Sequence, residues 1–364
     1  MGLLLFDFME KMLMDEREYA RIMVEKRRKK SAIIKNRRKK QIRILKMRIM
    51  LSSILICVCT VTAVIAANYL KKNKGEEVLA ANNVPEMVVE QTTEEPETGM
   101  QLSDDFQTVT ADDVNSAYLA MYDMDNKTVV AGKDYDTKMY PASMTKVMTL
   151  IVAVENITDY SKTFSLSYEQ FEKLYVQDAS TAMFEVGEPV NALDLLYGLI
   201  LPSGADAALG LADIVAGSEE EFVKLMNLKC AELGLKNTHF TNTTGLHDDD
   251  QYTTPYEMCK IMECAMNNEL CAKVLNTRTY TTSVTDKHPD GLMLTGHAYL
   301  KLDSKKKEDI SIIGAKTGYT DAAGYCLVTC AEKNNKKYIV VSGKAESAEF
   351  YVLDAYTMYE EFAS

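Results

Sequence analysis

Hydrophobic and polar residues form three successive patterns along the chain, and the first is a charge-free run of 22 residues, Ile49–Leu70. At about 1.5 Å of rise per residue, this run would form a helix of roughly 33 Å. Such a helix is long enough to cross a hydrocarbon layer of about 30 Å. The pattern therefore predicts a transmembrane helix over residues 49–70.

The alternative for this run is a cleaved signal peptide, because "AVIAAN" resembles a cleavage site. Against it, a basic region of 48 residues precedes the run, and the run is longer than a normal signal core. Residues 1–50 hold 16 Lys and Arg against 6 Asp and Glu, whereas the remaining 314 residues hold 25 against 47. The positive-inside rule then places residues 1–48 in the cytoplasm and the chain after Leu70 outside.

This division of charge also bears on the partners of the protein. The basic segment is most simply a topology signal, although such a cluster also suits anionic lipid or nucleic acid. The acidic part gives no signal of nucleic-acid binding. We therefore expect membrane contact through the N-terminal helix and no nucleic acid as a ligand.

The second pattern covers residues 71–103, which are acidic, contain Thr and Pro, and lack a hydrophobic period. Such a composition is typical of a flexible stalk. The third pattern begins at Asp104, where strand and helix periods start and continue to Ser364. Residues 104–364 are therefore expected to form one domain.

Strand and helix patterns follow a clear order within residues 104–364. Alternation in Ser116–Met124, then "DNK" and "TVVAGKD", predicts a hairpin. Helical spacing of apolar residues predicts helices over Met144–Ile157, Leu195–Ala216, Glu219–Leu233 and Pro255–Asn267. Three late strands and a last helix are expected in "ISIIGAKTG", "GYCLVTCAEK", "KYIVVSGKA" and "ESAEFYVLDAYTMYEEFA". This order predicts an α/β (α+β) domain, with an antiparallel sheet assembled from both ends, flanking helices and an all-helical subdomain between.

Cysteine and histidine give no sign of a metal site. Cys57 and Cys59 lie in the apolar run, and the other six cysteines follow no metal-ligand spacing and do not cluster with the four histidines. We therefore expect no metal and no cofactor. Most of the six stand in apolar periodic stretches, where cysteine is usually a small buried residue. Disulfides stay open as an alternative, because they are permitted outside a membrane.

The candidate chemistry uses serine and lysine rather than histidine. The four histidines stand in polar stretches, and no G-x-S-x-G sequence occurs. A lysine whose pKa is lowered by burial can act as the base for a serine, and Ser-x-x-Lys on a helix places both side chains on one face. Two such pairs occur, Ser143–Lys146 and Ser304–Lys307. The first opens an apolar helix that would bury its lysine, whereas the second stands in a solvated lysine run.

Two further segments place polar groups beside apolar elements. In "LILPSGADAALGLAD", Ser203 precedes an apolar helix, where it is either an N-cap or a residue held for chemistry. Lys316, Thr317 and Gly318 end an apolar strand, and the glycine lets a ligand approach the backbone. A sheet assembled from both ends would bring these segments and Ser143 to one cleft.

In this order, the three segments resemble the motifs of the penicillin-binding proteins and serine β-lactamases. The motifs read Ser143-Met-Thr-Lys146, Ser203-Gly-Ala205 and Lys316-Thr317-Gly318. The flanks "YPASMTKVMT", "LLYGLILPSGADAA", "TNTTGLHDDDQYTTPYEM" and "GAKTGYTDAAGYCLV" are similar to the serine D-alanyl-D-alanine carboxypeptidase branch, and the resemblance covers residues 104–364. It implies a β-lactamase/transpeptidase-like fold. It also implies an enzyme that trims bacterial cell-wall peptidoglycan. Together with the predicted transmembrane helix over residues 49–70, this gives a single-pass enzyme of the cell membrane with an extracytoplasmic catalytic domain.

The resemblance implies catalytic roles for three residues. Ser143 would attack the carbonyl of the penultimate D-alanine in peptidoglycan stem peptides that end in D-Ala-D-Ala. Lys146 would take the serine proton, and Ser203 would relay a proton to the leaving nitrogen. Water would then release the acyl-enzyme. β-Lactam antibiotics would acylate the same serine and act as inhibitors.

The resemblance also implies a substrate-binding role for the third motif. Lys316 and Thr317, followed by Gly318, would hold the terminal carboxylate of the substrate. The backbone N–H groups of Ser143 and Tyr319 would form the oxyanion hole, and each such donor contributes roughly 10²–10³ in rate.

One motif position departs from the family pattern. Ala205 stands where the family usually has an asparagine that bonds Lys146 and the substrate backbone. A methyl group can do neither, and a buried polar partner left unsatisfied costs roughly 1–3 kcal/mol. The expected result is a loss of roughly 5- to 150-fold in rate, which gives a weakened enzyme rather than an inactive one.

Three alternatives compete with a carboxypeptidase. A class A β-lactamase needs a glutamate downstream of the second motif, and "LKNTHFTNTTG" has no acidic residue there. A transpeptidase would usually carry added domains, for which the 33-residue stalk leaves no room. A catalytically weak or inactive peptidoglycan-binding homologue, marked by Ala205, is the alternative that stays open.

Overall fold

The structure, a computed structural model, describes residues 100–363. The predicted cytoplasmic segment, the predicted transmembrane helix and nearly all of the predicted stalk lie outside these residues. Within residues 100–363, no helix is long and apolar enough to cross a membrane.

Ten strands are present between residues 100 and 363. They are β1 Leu102–Thr108, β2 Tyr118–Asp123, β3 Thr128–Lys133, β4 Thr163–Ser165, β5 Pro189–Asn191, β6 Thr279–Thr281, β7 Met293–Thr295, β8 Ser311–Thr320, β9 Gly324–Lys333 and β10 Lys336–Ala345.

Nine α-helices and two 3-10 turns complete the same part of the chain. The helices are α1 Thr145–Asn156, α2 Tyr168–Val176, α3 Ala192–Ile200, α4 Ala205–Ala216, α5 Glu219–Glu232, α6 Pro255–Met266, α7 Glu269–Asn276, α8 His297–Leu302 and α9 Ala348–Phe362. The 3-10 turns are Ala142–Met144 and Asp303–Lys305.

The main sheet is assembled from both ends of the domain, as the sequence predicts. Its strand order is β1-β3-β2-β10-β9-β8, and β2 pairs antiparallel with β10. The turn between β9 and β10 contains Asn334 and Asn335, both with positive φ, which is typical of a two-residue hairpin turn. Since β8 follows the helical region and β2 precedes it, both ends of the domain contribute to the sheet.

The first strand differs from the prediction in two ways. β1 runs parallel to β3, so the sheet is mixed rather than purely antiparallel. It also begins at Leu102, inside the segment predicted as stalk. Most side chains of β1 are exposed, and the strand is held by backbone bonds at the sheet edge. A strand of this kind has no hydrophobic alternation to reveal it.

Each face of the sheet is covered by helices, so the central strands are apolar on both sides. In β2, Leu119 and Met121 join the cluster beneath α9, whereas Ala120 and Tyr122 join the larger cluster that includes α1 and α6. Side chains alternate between the faces of a strand, which explains this division. The last helix, α9, is hydrogen-bonded to the segment just before β2. Buried Asp354 accepts a hydrogen bond from the backbone N–H of Ser116 at 2.7 Å.

The predicted helix Leu195–Ala216 is two helices, α3 and α4. The break falls at Pro202, which has no N–H to donate, and at Ser203, whose φ of 65° is left-handed. Gly204 is the N-cap of α4, and no side chain caps this helix. Of the two alternatives for Ser203, the N-cap is therefore excluded. The other predicted helices are confirmed to within two residues at each end.

The helical region contains elements that the hydrophobic patterns did not predict. They are α2, α7 and α8 and two small two-stranded sheets, β4-β5 and β6-β7. All six cysteines between residues 100 and 363 are free thiols, and five of them are buried. In this part of the chain, therefore, the cysteines serve as buried apolar residues rather than as disulfides.

Candidate active site

Ser143 lies in the 3-10 turn immediately before α1, and Lys146 lies in the first turn of that helix. The apolar residues of α1 draw the helix into the core, which leaves Lys146 only 2% exposed. Its Nζ is 3.2 Å from Ser143 Oγ and 2.5 Å from the Thr244 carbonyl oxygen. The amine is therefore held between a hydroxyl and a carbonyl inside the protein.

Burial sets the protonation of this amine. It lowers the pKa of Lys146 to about 7, because the charged form loses its hydration. The negative charges of Asp206 and Glu219 act in the opposite direction and raise the pKa. Near neutral pH, a substantial fraction of Lys146 is thus a neutral amine that can accept the Ser143 proton.

A second buried lysine lies close to the first. Lys316, on β8, is 1% exposed and donates hydrogen bonds to Ser203 Oγ at 2.9 Å and to the Thr317 carbonyl at 2.8 Å. Burial lowers the pKa of Lys316 well below its usual value, and the charges of Lys146 and Lys301 lower it further. The structure thus pairs Ser203 with Lys316, as it pairs Ser143 with Lys146.

Strand β8 passes directly beside the turn that carries Ser143. A Cβ on Gly318 would lie 3.0 Å from the Ser143 nitrogen and 3.1 Å from the Pro141 carbonyl oxygen. Only a residue without a side chain permits this approach. The backbone N–H of Ser143 therefore lies next to the segment that continues into Tyr319.

The three motifs meet in one cleft of about 360 Å³. Of the sequence-predicted site residues, the ones that line it are Ser143, Ser203, Thr317, Gly318 and Tyr319. Lys146 and Lys316 lie behind this surface, bonded to the two serines. Ser304, the other serine in a Ser-x-x-Lys pair, lies in an exposed turn and donates to the Lys301 carbonyl at 2.6 Å.

Ala205 is the first residue of α4 and is buried, at 1% exposure. Its backbone N–H donates to the Ser180 carbonyl at 2.8 Å. The next residue, Asp206, accepts hydrogen bonds from the backbone N–H groups of Ala182 and Phe184. Both contacts fasten the loop after α2 to the first turn of α4. This loop forms one wall of the cleft, because Ser180 lines it.

Several residues that shape the site carry no recognisable motif in the sequence. Thr244 supplies the carbonyl for Lys146, and Asp206 fastens the cleft wall. His297, Lys301 and Tyr351 line the cleft from α8 and α9. The sequence signal for Thr244 is its place in "TNTTG", and His297 stands in a polar stretch, which indicates no role in the site.

Gly245 is a further missed residue, and it supports the nucleophile turn. It has a φ of +77°, and a Cβ there would lie 2.0 Å from the Ala142 carbonyl oxygen. Ala142 itself has a left-handed φ of 46°. The two segments therefore pack backbone against backbone, and the position of Ser143 depends on that contact.

No group of His, Cys, Asp or Glu between residues 100 and 363 is arranged to hold a metal ion. The cleft holds two serine–lysine pairs, Ser143–Lys146 and Ser203–Lys316.

The sequence profile of the D-alanyl-D-alanine carboxypeptidase family matches residues 105–347. The chain belongs to this family. It is 34% identical over 222 residues to the D-alanyl-D-alanine carboxypeptidase DacF of Bacillus subtilis, which covers 61% of this chain and 55% of that protein. It is also 34% identical over 229 residues to the D-alanyl-D-alanine carboxypeptidase of Streptomyces sp. strain K15, covering 60% and 77%. The chain thus spans little more than half of the Bacillus protein.

Solved structures confirm the predicted fold class for this family member. The Streptomyces K15 DD-transpeptidase is 30% identical with a TM-score of 0.61, covering 68% of this chain and 96% of that chain. A D-alanyl-D-alanine carboxypeptidase from Mycobacterium tuberculosis is 25% identical with a TM-score of 0.62, covering 72% and 95%. A protein named as a transpeptidase is therefore no larger than this domain. Size alone therefore does not separate the two activities.

The buried amine of Lys146 predicts a pH dependence. As the pH falls through about 7, Lys146 becomes protonated and can no longer accept the Ser143 proton. We expect the rate at which a penicillin acylates Ser143 to fall about tenfold for each pH unit below that point. The acylation rate is measured by labelling with a fluorescent penicillin, quenched at a series of times, from pH 5 to 8.5. Circular dichroism over the same range shows whether the protein stays folded. A rate independent of pH over this range would contradict the assignment.

Gly245 and Gly217 provide a matched pair of substitutions. Both have left-handed φ, but nothing lies within 4 Å of a Cβ on Gly217. Gly→Ala at either position adds backbone strain of about 1–2 kcal/mol. Only Gly245→Ala displaces the turn of Ser143, and we expect it to slow acylation by about 100-fold or more. Similar acylation rates in the two variants would show that the contact does not position the nucleophile.

Proposed function

We propose that this protein is a serine-type D-alanyl-D-alanine carboxypeptidase that removes the terminal D-alanine from peptidoglycan stem peptides. The observation that carries the proposal is the buried Lys146 amine 3.2 Å from Ser143 Oγ, in a cleft that also holds the Ser203–Lys316 pair. Both pairs belong to motifs of the family. Two serines supported by two buried amines suit the two proton transfers that peptide cleavage requires.

In the first step, Ser143 Oγ attacks the carbonyl of the penultimate D-alanine while its proton passes to the Lys146 amine. The carbonyl oxygen becomes negative and accepts hydrogen bonds from the backbone N–H groups of Ser143 and Tyr319. The close approach of Gly318 to the Ser143 nitrogen supports this arrangement.

In the second step, the peptide C–N bond breaks and D-alanine leaves as an amine. Ser203 donates its proton to the leaving nitrogen and takes one from Lys316 through their 2.9 Å hydrogen bond. The proton that Lys146 accepted in the first step passes to the neighbouring Lys316, so Lys146 is again a neutral amine. The terminal carboxylate contacts Thr317 beside Gly318. Water then attacks the Ser143 ester, Lys146 assists as base, and the shortened peptide leaves with a new carboxylate.

Ala205 has no side-chain amide, so it cannot make the hydrogen bonds to Lys146 and to the substrate backbone that the family asparagine makes. The fastening of the adjacent loop by Asp206 keeps the cleft wall in place without an amide at this position. It supplies no hydrogen bond to the substrate backbone, so slow turnover is the expected consequence. If the loss of this hydrogen bond slows turnover still further, the protein is a catalytically weak peptidoglycan-binding homologue with the same site.

A transpeptidase is a second candidate, because the structural likeness to a protein named DD-transpeptidase extends over nearly all of that chain. The acyl-enzyme at Ser143 is common to both reactions. They differ in the acceptor, which is water in one and a peptide amine in the other.

We also propose that residues 49–70 anchor the enzyme in the bacterial cell membrane, with residues 1–48 in the cytoplasm and the catalytic domain outside. The length of the charge-free run and the excess of Lys and Arg before it support this topology. The cell wall, in which the substrate lies, is on the same side as the catalytic domain in this arrangement.

Labelling by a fluorescent penicillin and release of D-alanine from a pentapeptide ending in D-Ala-D-Ala test the function together. We expect both in the parent protein and neither in Ser143→Ala. Ser304→Ala, which alters the exposed Ser-x-x-Lys pair, is the matched control and should keep both. Absence of labelling in the folded parent would refute the proposal.

Two further outcomes of this experiment separate the alternatives. Labelling without release of D-alanine, from peptide concentrations up to the millimolar range, would indicate the weak homologue. Release accompanied by a new peptide bond to an added amine acceptor, in place of the hydrolysed product, would indicate a transpeptidase. Mass spectrometry of the products distinguishes the two.

The anchor is tested by an N-terminal epitope tag and extraction of membranes with alkaline carbonate. We expect the tagged full chain to stay with the membrane, and Val58→Lys combined with Val61→Lys to release it, because each charge at the centre of a span costs about 2.5–3.5 kcal/mol. A mature catalytic domain without the tag would show instead that the run is a cleaved signal peptide.

A further inference from the structure

The proposed reaction fixes the direction in which the substrate lies along β8. The terminal carboxylate contacts Thr317, and the reacting carbonyl lies between the backbone N–H groups of Ser143 and Tyr319. Two successive groups of the peptide therefore follow β8 toward its last residue, Thr320. The residues that precede the penultimate D-alanine continue in the same direction, toward the turn of residues 321–323 that joins β8 to β9.

A second cavity, of about 280 Å³, lies at this end of the sheet, and we call it the turn cavity. Its wall includes Ala322 and Ala323 of the turn after β8. It also includes Met139 and Tyr140, which shortly precede Ser143 in the chain. The cleft and the turn cavity therefore lie along the same two chain segments, the one that carries the nucleophile and the one that ends β8.

Two lysines line the turn cavity, Lys138 and Lys344. The ion pairs formed within residues 100–363 include neither of them. Lys138 Nζ lies 3.9 Å from the centroid of the Tyr252 ring, a cation–π contact that leaves the positive charge in place. An acidic residue in the wall, Asp249, has its Oδ1 3.3 Å from Nε2 of His247. The turn cavity therefore carries an excess of positive charge, which favours a negatively charged ligand.

A β-bulge places Lys344 in the wall of the turn cavity. The pairing of β10 with β9 shifts between Ser342 and Ala345, so that β10 has one extra residue there. Lys344 has a left-handed φ of 56°, and a Cβ on Gly324 would lie 3.1 Å from the Lys344 Cα. A bulge redirects a side chain out of the regular alternation of its strand. The packing of the strand ends thus sets the direction of this lysine beside the turn after β8.

Distance along the strand indicates which substrate residue reaches the turn cavity. Tyr319 and Ala322 are three residues apart, which is roughly 10 Å of extended chain. If the penultimate D-alanine lies at Tyr319, the second residue before it lies roughly 7 Å further along an extended peptide. A side chain with a carboxylate spans the remainder. In a pentapeptide that ends in D-Ala-D-Ala, this is the second residue.

We propose that the turn cavity is a second binding site for the substrate, in which Lys138 and Lys344 bind a free carboxylate on the second residue of the stem peptide. This inference rests on the proposed function and adds to it a preference for the peptide beyond D-Ala-D-Ala. The two lysines act on binding, because neither lines the cleft that holds the reacting groups. They distinguish an acidic stem peptide from a neutral one, which the three motifs do not.

Two pentapeptides that both end in D-Ala-D-Ala test the preference. They differ only at the second residue, which carries a free carboxylate in one and the corresponding amide in the other. We expect the parent protein to have a kcat/KM roughly 3- to 30-fold higher for the acid peptide, mostly through KM, because two solvent-accessible ion pairs are gained. An equal kcat/KM for the two peptides would overturn the inference. This comparison needs no variant, so it does not depend on the folding of one.

Substitution of both lysines identifies the groups that recognise the carboxylate. Lys138→Met combined with Lys344→Met should abolish the preference and leave kcat/KM for the amide peptide within about twofold of the parent. Lys138→Arg combined with Lys344→Arg keeps both charges and should keep the preference. The matched control is Lys305→Met combined with Lys337→Met, which removes two exposed lysines outside both cavities and should behave as the parent. A preference that survives in the first variant, or equal losses on both peptides, would overturn the inference.

Labelling by a fluorescent penicillin separates this inference from its premise. Complete labelling of the variant that lacks both cavity lysines, with an unchanged Tm, shows an intact catalytic site. A parent protein that neither labels nor releases D-alanine from either peptide contradicts the proposed function. A parent that labels and releases D-alanine equally well from both peptides contradicts only the role of the turn cavity.

Discussion

Burial of the Lys146 amine is the constraint on which the rest of the site depends. A helix as apolar as α1 packs in the core, and it carries this amine with it. An ammonium ion there would lose its hydration, so the hydroxyl of Ser143 and the carbonyl of Thr244 must receive its N–H groups. The same burial turns the amine into a base near neutral pH. Stability and reactivity therefore arise from one packing arrangement, which a second buried amine on β8 repeats.

Much of the fold and the main residues of the site could be predicted from the sequence. Apolar residues are nearly continuous in β2, in β10 and in most of α1, because these elements are buried on both sides, and such runs can be recognised in the sequence. Ser143 and Lys146 are three residues apart on one turn, so local geometry alone brings them together. The order of the three motifs then indicated a common cleft.

The residues that were not predicted act through contacts distant in sequence. Thr244 reaches Lys146 by its backbone, and any residue type has a carbonyl. Gly245 is required by a close approach to Ala142 that no local pattern reveals. Ser203 looks like a helix cap in sequence, but its left-handed backbone turns the hydroxyl to Lys316 instead. Lys301 stands in a polar run of the sequence, and its place at the cleft follows from the packing of α8, which the sequence does not reveal.

The pairing of β2 with β10 has a consequence for how the protein matures. These strands are joined across more than half of the domain, so the sheet has a high contact order and is expected to close slowly. A ribosome delivers the first hairpin long before its central partner strand. Because β8, β9 and β10 follow the helical region, the amine that faces Ser203 arrives only with the last part of the sheet. Catalytic competence is therefore acquired late, after the chain has been synthesised almost to its final strand.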